Sequence, residues 1–180
     1  MSGKTMLGVL VTGLVLFLFG FIYWAVNPLP YQVWNDVADP AAAQAAMSET
    51  FPEDGIYFIP GQPNDPAAAE LMKTGPAGFV IMDHAPAAGV DPVALGVGLL
   101  HNIFSAALMV WVLLGISGLV NRITRALIIG LVATFVINGS EMIWWWQPFE
   151  WQIHQIIYYL IYFGLAALVL HRFVPEPETA

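Results

Sequence analysis

Three apolar stretches carry polar side chains whose types and spacing could do chemistry. The first holds His101, Asn102 and Ser105, and the second holds Thr134, Asn138 and Glu141 at i, i+4 and i+7. The third holds His154, Tyr158 and Tyr162 at i, i+4 and i+8, with Gln155 and Tyr159 beside them. On helices, those spacings put each set on one face. Polar groups surrounded by lipid turn inward and find each other, so three such stripes at similar depth imply one polar pocket. Glu141 would be its acid, His101 and His154 its bases or ligands, and Asn138, Tyr158 and Tyr162 its hydrogen-bonding walls. A quinone head group, a haem b or a metal on His101, Glu141 and His154 are the occupants those residue types suggest. The plainer alternative is interhelical hydrogen bonding near an interface, with Glu141 and His154 in contact with water.

Each occupant meets a difficulty. Bis-histidine haem needs facing imidazoles, yet His101 and His154 differ in expected depth by roughly 9 Å on a 1.5 Å rise per residue. A di-iron carboxylate bundle needs Glu-x-x-His pairs, which are absent from the sequence. The metal triad has no local spacing motif, and no hydrolase elbow, phosphate loop or HExxH occurs. With no cysteine in 180 residues, thiolate-held cofactors and disulfides are excluded. A net charge of −8 argues against nucleic-acid binding, which needs a basic face.

The elements that must position these residues read as an all-α membrane protein. The expected fold is a bundle of four transmembrane helices, with a small α+β insertion outside the cytoplasm between helices one and two. Residues 6–26 form an uncharged run of about 21, enough to cross a hydrocarbon core of about 30 Å. Lys4 precedes it and Tyr23-Trp24 closes it. The run is too long for a cleaved leader and no A-x-A pattern follows, so residues 1–26 are expected to be a cytoplasmic start and a retained anchor. Residues 93–120, 124–143 and 151–170 are the other expected spans, within a segment 93–172, with Asn121–Arg125 as a basic turn between two of them. Residues 173–180 form a cytoplasmic tail, whose Pro175–Glu178 reads as disordered.

Residues 27–92 are rich in proline, alanine and acids, with Lys73 their only Lys or Arg. Asp39-Pro40 and Asp65-Pro66 read as N-caps followed by proline at the first helical position, and Asp91-Pro92 opens the second span the same way. Gly55–Pro60 and Gly78–Met82 read as short strands bounded by breakers. Two strands and two short helices make a thin core, so this segment is expected to lean on the spans or on a partner.

Trp144-Trp145-Trp146-Gln147-Pro148-Phe149-Glu150-Trp151 reads as a tight turn at one membrane face. Indoles favour the headgroup level, and an interfacial belt is the ordinary reading. Trp144, Trp145, Trp146, Phe149 and Trp151 could also be a docking surface. Lys4, Arg122, Arg125 and Arg172 fall on one side of four crossings, which marks that side as cytoplasmic and puts 27–92 and the tryptophan turn on the other.

Trp24 at the end of the first span, Pro52-x-x-Gly55-Ile56-Tyr57-x-x-Pro60, Gly75-Pro76 before a strand and the tryptophan turn resemble a group of uncharacterised bacterial inner-membrane proteins. The resemblance implies a bacterial source and a four-helix topology, and no activity. The functional expectation is a non-enzymatic accessory or assembly subunit of a larger inner-membrane complex, docking through its insertion and tryptophan turn onto a membrane-protein partner or a second copy. The alternatives are a quinone-, haem- or metal-binding redox protein, and a protein that binds lipid or another apolar ligand between its helices.

Overall fold

The computed structural model describes residues 2–62, 64–85 and 89–177. Its elements are α1 (Gly3–Phe21), α2 (Pro40–Thr50), β1 (Gly55–Ile59), α3 (Pro66–Leu71), β2 (Gly78–Met82), α4 (Pro92–Leu113), α5 (Leu119–Trp145) and α6 (Phe149–Leu170). A π-helical turn, Ile22–Val26, continues α1, and a short 3-10 helix, Leu29–Val33, follows it. Among the described residues four helices, Gly3–Val26, α4, α5 and α6, are long and apolar enough to cross a membrane. The chain divides into one compact unit formed by residues 1–34 and 90–180, and a second formed by 35–89.

In the first unit α5 and α6 pack along their lengths, as do α1 and α4, and α1 also lies against α6. By contrast α4 meets α5 sparsely. The α5 seam explains its close packing: Arg122, Ala126, Gly130, Thr134 and Asn138 are buried at every fourth position. Small residues at that interval let two helix backbones approach closely. On α1, a Cβ added at Gly13 would lie 2.7 Å from the Ile103 Cα, so α1 and α4 touch backbone to backbone there. Leu16, Ala106, Val110, Leu113, Ala166 and Leu170 complete the dry core.

The span expected over 93–120 stops at Leu113, and the residues expected as a basic turn, Asn121–Arg125, are helical. Gly115 (φ 73°) and Gly118 (φ 78°) adopt the left-handed conformation that ends α4 and starts the next helix after a short loop. Arg122 therefore sits inside α5 and is fully buried, 0% exposed. Its Nε donates to the Ile116 carbonyl at 2.8 Å, Nη1 to His171 at 3.0 Å and Val174 at 2.9 Å, and Nη2 to Pro175 at 2.8 Å. The Glu176 carboxylate accepts from the Gly118 N–H at 3.1 Å. The tail expected to be disordered is thus held as far as Glu176, because it supplies the carbonyls a buried guanidinium needs. Glu178 lies outside the described residues.

In the second unit β1 and β2 pair antiparallel, with Gly55 opposite Met82 and Ile59 opposite Gly78. Asp39, Asp65 and Asp91 each accept a backbone N–H at a helix start, from Ala42, Ala67 and Val93 respectively. The Asp54 carboxylate accepts from the His84 backbone N–H at 2.7 Å and pairs with its Nδ1 at 2.8 Å. Those two bonds favour the charged form and hold the Asp54 carboxyl below the usual aspartate range.

Candidate functional site

The sparse meeting of α4 and α5 leaves a cavity of about 610 Å³ between them, floored by α6. That volume lies within the range of small-molecule sites. From α4 it is lined by His101, Asn102 and Ser105, from α5 by Thr134 and Asn138, and from α6 by Tyr158 and Tyr162. Trp24 and Tyr159 also line it, and Leu108, Met109, Val112, Ile129, Ala133, Ile137 and Phe163 make up the apolar remainder of its wall. Seven of the nine residues in the three stripes read from spacing therefore line this one space, and Glu141 and His154 do not.

The bonds within that wall explain its order. The Tyr162 phenol donates to Asn102 Oδ1 at 3.0 Å, and Asn102 Nδ2 donates to the Gly98 carbonyl at 2.8 Å. The Thr134 hydroxyl donates to the Leu131 carbonyl one turn back, at 3.0 Å. Tyr158 stacks on Phe19 of α1 with ring centroids 5.3 Å apart and an interplanar angle of 6°. Gly20 permits this, since a Cβ there would meet the Tyr158 hydroxyl at 3.0 Å.

Glu141 and His154 do not line the cavity. Among the described residues no three of His, Asp and Glu group closely enough to hold a metal, so His101, Glu141 and His154 are not brought together as a ligand set. His154 instead offers its backbone carbonyl to the Tyr23 phenol at 2.9 Å. Glu141 ends a chain of side-chain amides: Gln147 Nε2 donates to Glu141 Oε2 at 2.6 Å, and Gln152 Nε2 donates to Gln147 Oε1 at 2.6 Å. Asn138 Nδ2 then donates to Gln152 Oε1. Gln152 is 0% exposed, and neither it nor Gln147 stood out in the sequence. The signal was present but weak: Gln152 lies just inside the start of α6, where a buried amide can reach the end of the neighbouring helix.

The tryptophan turn is three residues, Trp146 to Pro148, between α5 and α6. Trp146 takes the left-handed conformation (φ 56°) that lets the chain reverse so tightly. Trp144, Trp145, Trp146 and Phe149 are exposed. Trp151 is not: its ring packs in a cluster with Trp24, Tyr31 and Trp34, at centroid distances of 5.6, 6.3 and 5.8 Å. Residues 27–34, expected to start the insertion, thereby belong to the helical unit.

The chain matches no known protein-family model, no curated protein and no solved structure.

Proposed function

We propose that this chain binds an amphipathic, lipid-like molecule in the cavity between α4 and α5. The single observation that carries the reading is a space of small-molecule size with polar groups from three helices on an otherwise aliphatic and aromatic wall. A ligand already dissolved in the bilayer would enter sideways, where α4 and α5 diverge. The setting is a bacterial inner membrane with both termini cytoplasmic and residues 35–89 on the periplasmic side. Supporting that orientation, Lys4, Arg125 and Arg172 are exposed at the end of the helical unit where Thr5 bonds Phe173 and Glu176 bonds Gly118. Among the described residues His101 is the one imidazole on the cavity wall, which favours a quinone- or lipid-type ligand over a bis-histidine haem.

The test is extraction of the purified protein, with lipid identified by mass spectrometry, alongside Ala133→Phe, which fills the cavity. One dominant amphiphile, present near one per chain and lost in the filled variant, is the expected result. A bulk-lipid profile identical in both proteins defeats the reading.

A second reading has its own support. Trp144 and Phe149 are exposed at the turn, and Ile56 and Ile81, directly paired across the hairpin, are exposed as well. Such surfaces suit an accessory or assembly subunit docked on a membrane-protein partner or on a second copy. Recovery of the chain alone and monomeric from mild detergent removes this reading and leaves the first intact.

A further inference from the structure

We infer that the chain carries a second lipid site, separate from the cavity between α4 and α5: a cleft at the start of α5 that takes the phosphate head of an anionic phospholipid. The cleft has a volume of about 410 Å³ and lies between the loop residues Gly115 to Ser117 and the first turns of α5.

The backbone makes the cleft. Gly115 (φ 73°) and Gly118 (φ 78°) turn the chain out of α4 and into α5. Asn121 Nδ2 donates to the Ser117 carbonyl at 3.0 Å and ties the loop to the helix. Opposite the loop, α5 presents Asn121, Thr124, Arg125 and Ile128. Their spacing, i, i+3, i+4 and i+7, puts them on one face.

The charges at this end are unequally committed. The Arg122 guanidinium is spent on carbonyls and lies 3.8 Å from Glu176. Glu176 in turn accepts from the Gly118 N–H. Among the described residues Arg125 pairs with no carboxylate, and the Thr124 and Ser117 hydroxyls make no hydrogen bond. Lys4 and Arg172 are exposed but do not line the cleft. A guanidinium fork and two hydroxyls with protons to give match the acceptor oxygens of a phosphate. No Asp or Glu lines the cleft, so an ammonium head finds no counter-charge there.

The same helix face says why the phosphate belongs to a lipid. Beyond Arg125 it continues as Ile128, Leu131, Val132 and Phe135, each more than half exposed. The face thus turns from polar to apolar within one turn, as a head group gives way to its acyl chain. Basic pockets beside membrane helices on the cytoplasmic side suit anionic heads. The choice of leaflet rests on the orientation proposed above, and the head-group chemistry does not.

Native mass spectrometry of the full chain in mild detergent tests this, with dioleoyl phosphatidylglycerol and dioleoyl phosphatidylcholine as probes. Phosphatidylglycerol is expected to bind about fivefold tighter. Arg125→Gln should abolish that preference, and Thr124→Val should weaken phosphatidylglycerol binding about threefold. Neither should change the melting temperature of the lipid-free protein, since neither side chain has a partner to lose. Arg172→Gln should leave the preference within about twofold of the unaltered protein's. Ala133→Phe, which fills the other cavity, should leave it unchanged, and inorganic phosphate should not displace the lipid.

Equal binding of the two lipids overturns the inference. Equal losses in Arg125→Gln and Arg172→Gln would mean diffuse surface charge and overturn it as well. Displacement by inorganic phosphate would make this a site for the free anion, not a lipid. A preference lost in Ala133→Phe would move the lipid to the other cavity, so the two sites fail separately.

Discussion

At the scale of single residues, the most consequential side chain is one whose expected role was a charge on the surface. Arg122 is buried, and its guanidinium gathers carbonyls from the α4–α5 loop, the end of α6 and the tail. Arg122→Leu leaves those acceptors unsatisfied in a dry site and is expected to cost about 3 kcal/mol. Arg122→Lys should recover little, because a point charge cannot reproduce the fork. Thermal unfolding in detergent measures the cost, and protease release of the tail beyond His171 reports where it falls. In the insertion, Asp54 and His84 form a clasp across the hairpin ends. The Asp54 carboxyl is held below its unfolded range, so the clasp contributes fully above that range and loses its contribution as pH falls through the lowered value. Exchange protection of the His84 amide is expected to be flat from neutral pH down to about 4 and to fall below it. Asp54→Asn should remove that pH dependence. Arg122 shows why the sequence misleads here. A lone arginine beside Asn121 looks like a cytoplasmic marker, and only the tail's return, far along the chain, makes it structural. Gln147 and Gln152 were illegible for a similar reason, since an amide has no periodicity of its own and takes meaning from the partner it meets.

At the scale of elements, the stripes were legible and the ends were not. Thr134 and Asn138 at i, i+4, and Tyr158 and Tyr162 at the same interval, announce the faces that line the cavity. The Asp-Pro starts announce α2, α3 and α4, because that cap chemistry is local. The end of α4 is not legible because apolar sequence runs straight through Leu113, and only the backbone conformation of Gly115 and Gly118 breaks it. The α5 seam is legible only in part: beyond Thr134 and Asn138, its buried positions extend to the small Gly130 and Ala126 and to Arg122. Close packing also concentrates the penalty for added volume. A methyl at Gly13 meets the α4 backbone at Ile103, which cannot swing aside. Gly13→Ala is therefore expected to destabilise the bundle by roughly 1–3 kcal/mol, while Gly96→Ala, with open space around it, should change little. Parallel melts of the two variants in one detergent check the contrast.

At the scale of the whole molecule, one arrangement links these parts. The end of the helical unit that holds Arg122 and the tail carries the exposed cations, and the opposite end carries the tryptophan turn and the starts of α4 and α6. The absence of cysteine makes the orientation directly measurable, since any introduced thiol is the only one. Ser48→Cys is expected to react with a membrane-impermeant maleimide on intact cells, and Arg125→Cys only after lysis. The opposite pattern would invert the assignment of sides without disturbing the cavity.

The cavity between α4 and α5 is the centre of this account, and a photo-crosslinking residue placed within it tests it most directly. A benzophenone side chain at Ile129 faces the cavity, and the same group at Phe135, 80% exposed, faces outward from the same helix. On irradiation in native membranes, Ile129 is predicted to yield one adduct mass dominated by a single amphiphile, and Phe135 the mixed profile of bulk lipid. The same mixture at both positions would contradict the existence of a selective site.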